Sequence, residues 1–189
     1  MSATETGTAT NEMHCIINTI TALIGSTGAT FFLSQHLNGG KFDAVHVQNS
    51  TLAGGVAIGA TARLAMGPGV ALLVGMAAGS VSVLGYFYSS PFLEQKFGIF
   101  DTCGVGNLHG YPSVLGGLVS ILLVYTNNSA EFLNYDVGTQ SIVQLLAVVC
   151  TLVVAIVTGF ISGKFISSDV LKNNIAEDYN DTVWWIDID

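Results

Sequence analysis

One short segment of the sequence combines side chains that could carry chemistry. Residues 101–112 read Asp-Thr-Cys-Gly-Val-Gly-Asn-Leu-His-Gly-Tyr-Pro and include an acid, an amide and an imidazole at Asp101, Asn107 and His109. If the segment is helical, a rise of about 1.5 Å per residue puts His109 about 12 Å along the axis from Asp101. An acid at the membrane edge would then leave the imidazole near the middle of the bilayer, where polar groups normally face a cavity or a bundle interior.

The acid and the imidazole of this segment each allow two interpretations. A desolvated imidazole stays neutral and can donate from one ring nitrogen while it accepts at the other, which suits passage of a small polar molecule such as ammonia. His109 could equally be a hydrogen-bonded histidine inside the bundle. Asp101 could attract a cation, or it could cap the helix, where its carboxylate would meet free backbone amides and the positive end of the dipole. We favour the cap, and spacing alone names no substrate.

The remaining histidines and the cysteines give weaker indications. His14, His36 and His46 lie at predicted edges of apolar segments, where an imidazole is common, so we interpret them as interfacial side chains. The three cysteines lie in apolar segments at spacings that indicate neither a disulfide framework nor a zinc site. No nucleophile–base arrangement and no cofactor motif is apparent. We therefore expect no metal, no cofactor and no enzymatic activity.

The composition is typical of a membrane protein. Half of the 189 residues are hydrophobic and 10% are charged, too few charges to cover the surface of a water-soluble domain. Only five residues are basic, which gives no support for nucleic-acid binding. Six of the thirteen acidic residues follow Ser168, so we predict an acidic cytoplasmic tail over residues 167–189. Residues 1–12 have no basic patch before an apolar core, and we predict a disordered N-terminus rather than a cleavable signal peptide.

Five segments are apolar and long enough to cross about 30 Å of hydrocarbon. The predicted spans cover residues 14–32, 45–66, 69–88, 99–125 and 141–166. The predicted fold is therefore an all-α membrane protein, with a transmembrane helical bundle over residues 13–166. Glycines one turn apart on one helix face predict close helix contacts. These pairs are Gly55 and Gly59, Gly75 and Gly79, Gly106 and Gly110, and Gly159 and Gly163.

The basic residues predict an orientation, because cytoplasmic connectors carry an excess of Lys and Arg. With a cytoplasmic C-terminus, four of the five basic residues lie inside and only Arg63 lies at the opposite edge. The sequon that begins at Asn127 then falls in an outer connector, and Asn127 is a candidate glycosylation site.

Two longer motifs resemble the Rhesus-type branch of the ammonium transporter family. They are VHVQNSTLAGGVAIG over residues 45–59 and DTCGVGNLHGYP over residues 101–112. The stretch GSVSVLGYFYSSPFLE over residues 79–94 and a Tyr-x-Asp-x-Val-x-Trp pattern from Tyr179 are similar to the same family. The resemblance covers nearly everything from about residue 18 to residue 185.

The resemblance implies an eleven-helix core of two inverted five-helix repeats plus a final helix, assembled as a trimer with a pore in each protomer. The five predicted spans would be the last five helices. It implies that ammonium is deprotonated on entry and passed as ammonia, with carbon dioxide as an open alternative. In this family a histidine from each repeat lines the pore: His109 matches the second, and Asp101 matches the acid that opens the same helix. We therefore predict that His109, Asp101 and Asn107 belong to a substrate pore.

The resemblance also implies a partial chain, because the match starts just before the seventh core helix. The partner histidine and the aromatic gate would then lie elsewhere, although inverted-repeat transporters place their site between the repeats. Gly106 and Ser113 also depart from the family pattern. Two hypotheses follow. The chain transports ammonium together with a missing N-terminal half or in a homo- or hetero-trimer with full-length relatives, or it is a truncated non-transporting paralogue with a structural or assembly role.

Overall fold

The structure is a computed structural model that describes residues 9–126, 136–168 and 171, and within them all regular structure is helical. The helices are α1 (Ala9–Leu37), α2 (Ala44–Asn49), α3 (Ala53–Ile58), α4 (Pro68–Leu84), α5 (Ser90–Phe97), α6 (Tyr111–Thr126) and α7 (Val137–Ile166). Four helical runs are long and apolar enough to cross a membrane: Glu12–Leu37, Pro68–Phe97, Gly106–Thr126 and Gly138–Ile166. The predicted all-α membrane fold is confirmed.

Helix α4 packs directly on α1 through small residues. A Cβ added at Gly75 would overlap the backbone of Ala22, and one added at Gly79 would lie 2.6 Å from the carbonyl oxygen of Ser26. Ala22 is fully buried at this contact. The predicted contact role of Gly75 and Gly79 is therefore confirmed, because only glycine allows the two backbones to approach this closely.

Within the described residues of this chain, the other three predicted glycine pairs make no backbone contact of this kind with a neighbouring helix. Gly54, rather than Gly55, meets the backbone of α1. Among the described residues, nothing lies within 4 Å of a Cβ added at Gly110, Gly159 or Gly163. Spacing alone therefore predicted the contact at Gly75 and Gly79 correctly and missed the one at Gly54, while the pair Gly159 and Gly163, in the exposed part of α7, stays a prediction.

The second predicted span, residues 45–66, is not one transmembrane helix. A 3-10 turn at Ser50–Leu52 joins α2 to α3, and the helical path ends at Ile58. Fifteen residues from Ala44 to Ile58 extend about 22 Å, less than the hydrocarbon thickness. Beyond Ile58, the buried Asn18 side chain donates to the carbonyls of Ala62 at 2.8 Å and Leu64 at 3.0 Å. These bonds satisfy backbone groups that a helix would otherwise pair.

The boundaries of the remaining elements also differ from the prediction. The first helix begins at Ala9, so residues 9–12 are helical rather than disordered. The run that was expected to end at residue 88 continues to Phe97. The run expected from residue 99 becomes helical only at residue 105. The acidic tail, except for residues 167, 168 and 171, lies outside the described residues.

Two π turns interrupt the helical runs, and each directly precedes a residue–proline pair. They cover Gly85–Ser89, before Ser90-Pro91, and Gly106–Gly110, before Tyr111-Pro112. The amide of Ser90 donates to the Gly85 carbonyl, five residues back, and the amide of Tyr111 donates to the Gly106 carbonyl. Proline lacks an N–H and its ring clashes with the carbonyl four residues before it, so the wider turn lets the chain continue as a helix.

The chain divides into two compact units, residues 1–148 and residues 149–189. The first unit contains α1 to α6 and the beginning of α7. At that beginning, the Asp136 carboxylate accepts from the Thr139 amide at 3.0 Å and hydroxyl at 3.1 Å. These two bonds hold the pKa of Asp136 below its ordinary range. The second unit contains the rest of α7, whose side chains over residues 149–166 are all exposed.

Candidate functional site

Asp101 caps the helix that carries the predicted pore residues. Its Oδ2 accepts from the amide of Gly106 at 2.9 Å and from that of Asn107 at 3.4 Å. Residues 101–104 form a turn, closed by the Gly104 amide on the Asp101 carbonyl at 3.1 Å. Of the two roles considered for Asp101, capping is the one whose hydrogen bonds are present. The axial separation of about 12 Å from His109 is wrong, because the helix begins at residue 105.

Asn107 lies in the interior of the bundle. Its side chain is 1% exposed, and its Nδ2 donates to Ser90 Oγ at 2.7 Å and to Asp101 Oδ2 at 3.4 Å. Its Oδ1 has no hydrogen-bond partner among the described residues and lies against Gly85. Asn107 therefore links the capping acid to the start of α5 and keeps one acceptor free.

His109 lies on a different face of the same helix. Two residues apart at about 3.6 residues per turn, Asn107 and His109 leave the axis on roughly opposite sides. Asn107 is buried, whereas His109 is exposed and the neighbouring Gly110 has open space around it. The structure thus brings Asp101 and Asn107 together and turns His109 away from this chain's own bundle.

A small cavity lies beside the capped helix start. Its volume is about 260 Å³, and its polar lining comes from Ser90, Asp101, Asn107 and Tyr111. The apolar part of its wall includes Ile99 and Phe100. A water molecule occupies about 30 Å³ in the liquid, so the cavity has room for several molecules of the size of ammonia.

Tyr86 connects the turn before the His109 helix to the end of α2. Its hydroxyl accepts from Asn49 Nδ2 at 2.7 Å and donates to the Gly104 carbonyl at 3.1 Å. Gly104 has φ of 69°, and a Cβ there would overlap the Tyr86 hydroxyl. Both constraints require glycine at this position. The sequence interpretation did not single out Tyr86 or Asn49. The one available signal was a tyrosine in an apolar run, since a buried phenol hydroxyl usually needs a partner.

The interpretation of His46 as an interfacial side chain is wrong. The residue is 5% exposed, and its Nδ1 lies 3.1 Å from the hydroxyl of Ser34 on α1. That hydroxyl also accepts from the Asp43 amide at 3.0 Å. Asp43 caps α2 through the amides of Val45 and His46, and this early helix start turns the imidazole inward. The ring centre lies 5.4 Å from that of Tyr86.

The other sequence-predicted positions are more peripheral. His36 is exposed and His14 is partly buried. Asn127, the candidate glycosylation site, lies outside the described residues.

The chain is similar to ammonium transporters. The sequence model of the Ammonium Transporter Family matches residues 1–178. Ammonium transporter Rh type B of Xenopus tropicalis is 37% identical over 193 residues, which cover 93% of this chain and 41% of that protein. Ammonium transporter Rh type A of Bos taurus is 37% identical over 94% of this chain and 40% of its own length. The chain therefore spans about two fifths of the curated relatives it matches.

A solved structure has the same fold. The Rh50 protein of Nitrosomonas europaea, described with the conduction mechanism of the Rhesus protein family of channels, aligns with a TM-score of 0.79 at 36% identity. The alignment covers 97% of this chain and 44% of the Rh50 chain.

Proposed function

Because this chain belongs to the ammonium transporter family and matches its Rhesus-type members, we propose that it forms one wall of an ammonium conduit. The observation that carries the proposal is the placement of His109. The helix is fixed from inside the bundle by Asp101 and Asn107, while the imidazole on its other face is exposed. A second protein surface placed over that face would convert an exposed imidazole into a pore lining.

The chemistry of an enclosed imidazole suits ammonia better than ammonium. A neutral ring offers one donor and one acceptor, so an ammonia molecule can exchange hydrogen bonds with it at either nitrogen. A charged ammonium ion would have to lose its hydration shell in the same place, which is far less favourable. The proposed substrate is therefore ammonium that gives up its proton before the narrow part and passes as ammonia. Carbon dioxide, also small and uncharged, remains the alternative to test.

We assign different tasks to the three predicted pore residues. His109 would contact the substrate. Asp101 and Asn107 would hold the helix, since the Asp101 Oδ2 is engaged with backbone amides and Asn107 is 1% exposed. The free Oδ1 of Asn107 is an acceptor, but it lies against Gly85 rather than on the open face.

The proposed assembly follows from the length of the match. This chain spans 41% of the Rh type B relative, so the facing wall would come from a missing N-terminal half or from a full-length relative in a trimer. The protein is an integral membrane protein with four helical runs able to span a bilayer. The broken segment from Ala44 runs back along α1, from Ser34 beside His46 to Asn18 beside Leu64, so it would cross the bilayer as well. With that crossing, a cytoplasmic C-terminus places Lys41, Lys96, Lys164 and Lys172 on the inner side, and we propose this orientation.

Stopped-flow measurement of ammonia-driven pH change in vesicles tests the proposal. Vesicles that contain the chain in its native assembly should show a faster pH change than empty vesicles, and His109→Ala should remove most of the increase. His36→Ala is the matched control, because His36 is also exposed but lies near the end of α1. Equal rates for the His109→Ala variant and the unaltered chain would refute the transport role.

The second candidate function is that of a structural or assembly subunit without its own conduction. The observation that favours it is the same open face, because a surface that receives another chain needs no substrate. In that case the chain should co-purify with a full-length relative, and the His109→Ala variant should leave both co-purification and flux unchanged.

A further inference from the structure

Three polar links join the first π turn and its following residue to residues 104–111, the segment that carries His109. Tyr86 donates to the Gly104 carbonyl at 3.1 Å, and Asn107 Nδ2 donates to Ser90 Oγ at 2.7 Å. The hydroxyls of Ser89 and Tyr111 form the third link. The two π turns therefore lie side by side and are connected along their length. π turns inside α-helices often mark functional positions.

We infer that Tyr86 is a positioning residue for His109, acting through Gly104 and the turn of residues 101–104. As far as the role in transport is concerned, this inference rests on the proposed function. Tyr86 itself does not contact the open face. It sets where the helix begins and so where the imidazole, five residues after Gly104, is held.

The direction of the hydrogen bonds gives Tyr86 this role. A phenol hydroxyl has a single proton and two acceptor lone pairs. Because Asn49 Nδ2 can only donate, the hydroxyl accepts there and its own proton is left for the Gly104 carbonyl. Asn49 is 9% exposed and lies at the end of α2, so it fixes the hydroxyl from the opposite side.

Gly104 is the residue at which this link has most effect. Its carbonyl accepts from the Leu108 amide at 2.9 Å, an early hydrogen bond of the helix, as well as from Tyr86. Its φ of 69° leaves it outside the helical conformation. A movement of Gly104 therefore changes both the turn and the helix start, whereas a residue deeper in α6 is held by several regular helical bonds.

Tyr86→Phe tests the inference with minimal change of volume, and Tyr88→Phe is the matched control. Tyr88 belongs to the same π turn but is 61% exposed. The readout is solid-state NMR of the full chain in lipid bilayers with ¹⁵N-labelled histidine, which gives ring signals from four histidines. The His109 signal is the one lost in His109→Ala.

The expected result is a shifted or split His109 ring signal in Tyr86→Phe, with the His36 signal unchanged and with no change in Tyr88→Phe. The His46 signal should also shift because its ring lies beside that of Tyr86. The inference is therefore judged on the His109 signal alone. Amides of residues 104–107 should exchange about tenfold faster in Tyr86→Phe, the effect expected when a partly buried hydrogen bond is lost. An unaltered His109 signal in Tyr86→Phe would overturn the inference, whatever the exchange rates.

A double substitution checks that Asn49 and Tyr86 act as one unit. Once the Tyr86 hydroxyl is gone, Asn49→Ala should add little further change to the His109 signal. Fully additive changes would show that the two residues act separately and would overturn the relay through the hydroxyl.

The flux assay separates this inference from the proposed function. If the chain conducts ammonia, Tyr86→Phe should lower the His109-dependent rate several-fold and Tyr88→Phe should not. A shifted His109 signal with an unchanged rate would refute positioning for transport. If the unaltered chain shows no His109-dependent flux, the proposed function is refuted. The positioning of His109 by Tyr86 would still be tested, because the NMR comparison does not depend on flux.

Discussion

Replacement of Asp101 should loosen the start of one helix and leave the others intact. In the structure, Asp101 Oδ2 accepts from the amides of Gly106 and Asn107. Asp101→Ala removes the one oxygen that accepts both hydrogen bonds, and loss of an N-cap side chain costs about 1 kcal/mol. Loss of the carboxylate charge at the positive end of the helix dipole adds about 0.3–1 kcal/mol. The sum of about 1.3–2 kcal/mol corresponds to local opening about 9 to 30 times more frequent.

Asp101→Asn separates the cap from a cation-binding role. Asparagine keeps a side-chain oxygen that can accept from the same amides but carries no charge. A capping role therefore predicts a small effect on hydrogen exchange, about the dipole contribution of 0.3–1 kcal/mol. A role in attracting ammonium predicts instead that Asp101→Asn reduces flux as severely as Asp101→Ala while exchange stays near normal.

Amide hydrogen exchange followed by NMR in bilayers measures these changes at Gly106 and Asn107 directly. Asp136→Ala is the matched control, because Asp136 caps α7 through Thr139 and should affect exchange only there. Normal exchange at Gly106 in Asp101→Ala would show that the cap does not hold this helix. Equal acceleration by the alanine and asparagine variants would show that charge, not hydrogen-bond geometry, is what matters.

Three further predictions follow from contacts in the fold. Gly75→Ala should destabilise the purified protein by about 1–3 kcal/mol through overpacking, whereas Gly159→Ala should be tolerated within about 0.5 kcal/mol, as measured by thermal unfolding in detergent. Asn18→Ala should cost about 1–3 kcal/mol in the same assay, because two backbone carbonyls lose their donor. Since the folded-state pKa of Asp136 is lowered, its capping contribution is present at neutral pH and disappears as pH falls through that lowered value. Exchange protection at Thr139 should therefore be constant from pH 7 to pH 5, after correction for intrinsic exchange, and should decline only below about pH 4.

Hydropathy and length were enough to predict the helical fold and most of the long helices. The run over α7 was predicted within four residues at its start and ends at Ile166 as expected. The broken helix from Ala44 to Ile58 could not be predicted in this way, since its apolar residues fit a continuous helix equally well. After Ile58 a tertiary contact takes the place of helical hydrogen bonds, because Asn18 on α1 donates to the backbone carbonyls of Ala62 and Leu64.

At the candidate site, residue types predicted which segment matters but not which side chains meet. The acid, amide and imidazole were identified from the segment itself, and the structure places the first two in contact. Burial of His46 was missed because its distance from a predicted membrane edge says nothing about the direction of its side chain. That direction depends on where Asp43 caps α2. Tyr86 was missed because the Gly104 carbonyl that it binds lies 18 residues away in sequence.

The π turn at Gly106–Gly110 also determines which side chain of this segment is buried in the bundle. Downstream of it, the buried positions Pro112, Gly116, Ser120 and Val124 recur at intervals of four, as a stripe along α6. Asn107 precedes that stripe by five residues, not four. At uniform pitch the stripe would extend back to Leu108, and an aliphatic side chain would stand where the amide now meets Ser90. The one additional residue in this helical turn thus places a polar side chain, rather than an apolar one, against Ser90. The residues around that position stay the same.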